Sequence, residues 1–198
     1  MCWYGVTVSQ STVLSQVNYR RYTFPVPFGA LAENLVNSLD HSIAVPEHLA
    51  DVGALQEFLH EHDIEWPRRV SAADLEAVRA ARAGIRALFT AETPARATET
   101  LNALLDESRA SLRVAREKGE TRMEWALDTS LPLADALRSA AAVNAAHLAT
   151  QFGFERLRVC GADPCADVFL DASKRGEQRF CGPRCATRVR VAAHRARQ

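Results

Sequence analysis

Four cysteines dominate the chemistry available to this chain. Cys160 and Cys165 bracket one short loop, Cys181 and Cys185 bracket another, and fifteen residues separate the two pairs. Two loops that each offer two thiolates can close a four-coordinate tetrahedral zinc site, so the spacing predicts one structural zinc per chain, with no open coordination position for catalysis. Two disulfides, or four unrelated buried thiols, are the alternatives. The residues around Cys2-Trp3-Tyr4 lack the basic and apolar regions of a secretory leader, which points to a reducing, cytoplasmic setting and favours the metal. Pro183 suits the first turn of a helix, and Cys181 and Cys185, four apart, then project from the same side of that turn. The helix N-terminus also favours thiolate over thiol.

The same helix carries charge. Its stripe of Cys185, Val189, Ala192 and Ala196 is flanked by Arg184, Arg188 and Arg195 on one side and by Arg190, His194 and Arg197 on the other. The chain is neutral overall, but residues 172–198 hold eight Lys/Arg against one acid, Glu177, for a local charge of +7. A basic helix locked to a metal site reads as a phosphate-binding surface, and Arg184, Arg188, Arg190, Arg195 and Arg197 are the candidate DNA contacts. With 22 arginines and 2 lysines in the chain, a merely solvated arginine-rich helix is the competing reading.

Other constellations are weaker. Asn34 and Asn37, with Arg79 and Arg86, could line a pocket for a small anionic ligand; satisfied backbone groups and surface ion pairs are the plainer use of those residues. His60-Glu61-His62-Asp63 sits at a helix end and is expected to be exposed. The chain holds no phosphate-binding glycine loop, no His-Glu-x-x-His helix and no nucleophile elbow, so no enzyme is expected.

The positioning elements follow from periodicity. Leu31, Leu35 and Leu39 predict a helix from Phe28 to Asp40; Asp51, Ser71 and Thr93-Pro94 predict the starts of three more. Leu112/Val114 and Met123/Trp125 alternate with polar or small residues around Gly119, predicting a β-hairpin. A long helix is expected from Leu131 to Thr150, interrupted by Arg138, Asn144 and His147 and so not a membrane span. Between the cysteine pairs, Asp167–Leu170 reads as one strand and Gln178–Phe180 as its returning partner. Residues 1–27 give only a hint of a strand at Val6/Val8 and an aromatic, basic stretch from Tyr19 to Phe28.

The residues Cys160-x4-Cys165, Phe169-Leu170-Asp171-x-Ser173, Arg179-Phe180-Cys181 and Cys185-x2-Arg188 resemble the CGNR zinc fingers. The likeness extends upstream through Leu31-x3-Leu35-Val36-Asn37-Ser38, toward the helical ABATE domain that such fingers follow in bacteria. Where that family's name implies Cys-Gly-Asn-Arg, this chain has Cys185-Ala186-Thr187-Arg188. The resemblance implies a candidate stress-induced transcription regulator. The expected architecture is mainly α: an extension at 1–27, a helical domain with one β-hairpin at 28–152, and a treble-clef-like finger of hairpin and helix at 153–198. The expected function is zinc-dependent DNA binding under a helical sensor or dimerisation domain. The rival is a zinc-stabilised protein-interaction or RNA-binding module whose helical part makes a homodimer.

Overall fold

The computed structural model describes residues 30–198 apart from His41, Ala44, Val45 and Lys118. The expectations for residues 1–27, for Cys2 and for a helix start at Phe28 lie outside the described residues.

Among the described residues the order is four helices, a hairpin, a long helix, a second hairpin and a final helix. Helix α1 (Leu31–Asn37) is shorter than its leucine spacing predicts, because Ser38 Oγ turns back onto Leu35 O at 2.7 Å and Leu39 leaves to bridge Glu47. Helices α2 (Val52–Glu61), α3 (Ala72–Phe89) and α4 (Pro94–Glu107) open where expected. Each is capped locally: Asp51 accepts from Ala54 N–H, Ser71 and Asp74 form a reciprocal capping box, and Thr93 accepts from Arg96 N–H ahead of Pro94.

Helix α5 (Leu133–Phe152) is the centre of the molecule, packing against α1, α3 and α4 with 13 of its 20 residues buried. A helix apolar all round belongs inside a core, and its alanines let the neighbouring backbones come close. Its polar interruption has a purpose. The fully buried Asn144 accepts from Ala32 N–H at 3.1 Å, satisfying a first-turn donor of α1, which has no side-chain cap of its own.

One expectation needs correction here. His62 is buried, 7% exposed, because α2 ends against the core; its ring leans on Phe58 at 4.6 Å and lies 3.4 Å from Asn34 Nδ2, while His60 stays outside. Strands β1 (Ser111–Glu117) and β2 (Glu120–Ala126) pair as predicted, with Leu112 opposite Trp125 and Val114 opposite Met123. Period two ordinarily marks a half-buried strand, yet Leu112, Val114 and Met123 are 52%, 72% and 61% exposed. Among the described residues the hairpin meets the core at its base, where Trp125 packs against it and Ala126 and Leu127 are buried.

The last hairpin also differs from expectation. Strand β4 (Val168–Leu170) pairs not with Gln178–Phe180 but with the upstream β3 (Leu157–Val159), so the first cysteine pair occupies the connection between the two strands. Residues 178–180 form no strand and return through single bonds such as Gly161 N–H to Arg179 O at 2.9 Å. Leu157, Val168 and Leu170 join the same core as the helices. The chain turns at Gly153, whose φ of 89° favours glycine, and residues on both sides of it share one core.

Candidate metal centre and basic helix

Helix α6 (Pro183–Arg195) begins inside the second cysteine pair, with proline at its first position as expected. It brings Cys185 to the thiols of the β3–β4 connection. The sulfurs of Cys160, Cys165, Cys181 and Cys185 all lie within 4.8 Å of one another, with 3.8 Å from Cys165 to Cys181 and 3.7 Å from Cys181 to Cys185. A disulfide needs ~2.05 Å, and all four are free thiols. Four sulfurs ~2.3 Å from a central zinc would stand about 3.8 Å apart along the edges of a tetrahedron. The cluster therefore fits a four-thiolate zinc, and the protein carries one structural zinc site.

The electrostatics agree with that donor set. Burial pushes the Cys165 thiol up to about 12, with the Asp167 N–H opposing the rise and the Asp167 carboxylate adding to it. Cys181 is likewise raised, first by burial and then by Asp167, whose carboxylate accepts from its sulfur at 3.3 Å. For Cys160 burial is outweighed by backbone donors, including Cys181 N–H at 3.4 Å, which hold it below its ordinary value. Four adjacent thiolates are costly in such a place unless a cation offsets their charge, which is what a divalent metal supplies.

The basic residues divide sharply. Arg188 faces inward: its Nη2 donates to Ala162 O at 3.0 Å and lies 3.6 Å from Cys185 Sγ, while its Nε is buried without a hydrogen-bond partner. It clamps the two cysteine loops together and is not part of an outward contact set. Arg184 is 70% exposed along its side chain but leans on the α1–α2 loop, 3.1 Å from Ser42 Oγ and 3.6 Å from Asp40. Arg190, Arg195 and Arg197 are exposed and have no acidic partner among the described residues.

The four residues of the expected anion pocket each make contacts within the protein. Asn37 makes a pair of hydrogen bonds to strand β4, donating to Val168 O at 2.8 Å and accepting from Val168 N–H at 2.7 Å. Arg86 donates to Ala166 O at 2.7 Å. Both tie the helical part to the backbone beside the cysteines. Arg79 holds Leu49 O and Ala50 O and pairs with Glu76, and Asn34 meets His62.

Sequence reasoning missed the group that shapes the segment between the two cysteine pairs, residues 173–178. Asp171, fully buried, accepts from Ser173 N–H and Oγ through Oδ1 and from Gln178 N–H through Oδ2. Burial opposes its ionisation, but these bonds and the neighbouring Arg158 hold the carboxyl below its ordinary value. The Asp171-x-Ser173 spacing was the available signal, since such pairs form local side-chain turns.

Residues 29–151 match the model of the ABATE family, described as "Putative stress-induced transcription regulator", and residues 156–198 match that of the CGNR zinc finger. No curated protein matches the chain.

Proposed function

The chain belongs to the ABATE family and ends in a CGNR zinc finger, and from that membership we propose that it is a transcription regulator whose finger binds duplex DNA through α6. One observation carries this reading. Arg190, Arg195 and Arg197 project into solvent without acidic neighbours among the described residues, from a helix whose first turn is fixed by the buried Cys185. A solvated helix ordinarily mixes signs; α6 carries no acid of its own. Arg184 joins them on giving up its contact with the mostly buried Asp40. Arg188 contributes by keeping the finger closed.

The helical part holds and orients the finger in this reading, through Asn37 and Arg86. Phosphate contacts release condensed counterions, so affinity for duplex DNA falls with salt at a log–log slope of about −0.9 per phosphate neutralised. Replacing Arg195 and Arg197 by alanine together flattens that slope by roughly two, with zinc content and melting temperature unchanged. Fluorescence anisotropy across a salt series measures it. Salt-insensitive binding, or none to any duplex at low salt, overturns the proposal in favour of a protein-interaction module.

A further inference from the structure

We infer that the loop 173–179 is a second phosphate-contacting element, in which Lys174, Arg175 and Arg179 extend the duplex-binding surface of α6. The inference rests on the DNA-binding reading and adds a contact that the helix alone does not provide.

The loop is built from within. Asp171 holds both of its ends, taking Ser173 N–H at 3.0 Å and Gln178 N–H at 2.9 Å. Arg156 donates to Ser173 O at 2.6 Å, and Arg158 donates to Gly176 O at 2.7 Å and Gln178 O at 3.3 Å. Gly176 has a φ of 71°, and a Cβ there would lie 2.6 Å from the guanidinium carbon of Arg156. Two arginines are thus consumed in shaping the loop, and glycine makes room for one of them.

The basic side chains that remain are not used in building the loop. Lys174, Arg175 and Arg179 are exposed, and Arg179 lies over the Phe180 ring at 5.7 Å. A loop with its backbone already fixed loses little conformational entropy on binding, so its cations are worth more than those of a floppy tail. Reach also fits. Arg179 and Arg184 are five residues apart, at most about 18 Å along the chain, roughly half of the ~34 Å turn of a duplex. Loop and helix can therefore engage one stretch of DNA together. The one acid of the tail, Glu177, is exposed in the same loop and supplies a test that does not depend on damaging the protein.

The experiment uses full-length zinc-loaded protein and a labelled duplex across a salt series. Lys174→Ala with Arg175→Ala should flatten the log–log slope by roughly two, so that the loss relative to wild type grows about twelvefold between roughly 200 and 50 mM salt. Glu177→Gln should tighten binding, most at low salt, where screening is weakest. Unchanged affinity and slope in the double variant, while the Arg195/Arg197 pair weakens binding, would overturn the loop and leave the helix reading standing. The reverse pattern would keep the loop and remove α6. Absence of duplex binding by the wild type overturns both.

Discussion

Glu33, on α1, is the residue whose surroundings most disturb it. Its Oε1 is enclosed and has no hydrogen-bond partner among the described residues, and burial lifts the carboxyl to about 7, against the opposing pull of the Leu170 N–H. A carboxyl raised on folding binds its proton more tightly in the native state than in the unfolded one. Its contribution is therefore most favourable below about 4.5 and is lost as pH climbs to about 7. The full cost above that window is roughly 3 kcal/mol as an upper bound. Glu33→Gln should accordingly raise the melting temperature at pH 8 and change little near pH 4.5. His62, whose burial lowers it to about 4, acts in the opposite sense on the acid side, so the difference between variant and wild type is the quantity to follow. A variant no more stable than wild type at pH 8 would mean that Glu33 is paired or solvated.

Between elements, the joint that matters is α1 against β4. Asn37 presents both halves of its amide to Val168, completing the outer edge of a strand whose other edge is taken by β3. Asn37→Ala leaves an N–H and a C=O in a largely dry interface without partners, at a cost of about 2–3 kcal/mol. Asn37→Asp should be worse, since a carboxylate oxygen then faces the Val168 carbonyl. Urea unfolding measures the first effect. Because the strand is continuous with the cysteine connection, zinc loss to a chelator should also quicken in both variants. Unaltered zinc release would mean that the β3–β4 connection is held by its own bonds alone.

For the molecule as a whole, the question is how far the metal's influence extends. The finger has a small core of its own, Cys160, Ala162, Cys165 and Cys185 with Phe180 and Val189 against them, too few groups to stand without the metal. Its hairpin, however, buries Leu157, Val168 and Leu170 among the helices. Stripping zinc should therefore lower the midpoint of the helical circular-dichroism signal and merge the losses into one transition. A helical midpoint unmoved by chelation, with proteolysis leaving a fragment that ends near residue 152, would mark two independent units, as the charge break in the chain suggests. Among the described residues no helix is long and apolar enough to cross a membrane.

Caps, helix starts and ligand spacing depend on neighbours a few residues away, and for that reason Asp51, Ser71, Thr93-Pro94 and the cysteine pairs could be read directly from the sequence. The basic character of α6 belongs with them. Which of its arginines faces solvent does not, because Arg188 is turned inward by Ala162, twenty-six residues distant. Strand partners and burial are likewise long-range. The sequence of residues 167–170 suggests pairing forward with 178–180, whereas the place of Leu157 and Leu170 in the shared core goes with pairing to β3. Asn37 and Arg86 find their backbone partners 131 and 80 residues away. No local pattern distinguishes such an amide or guanidinium from one that lines a pocket, since the same groups do both and the tertiary contact decides which.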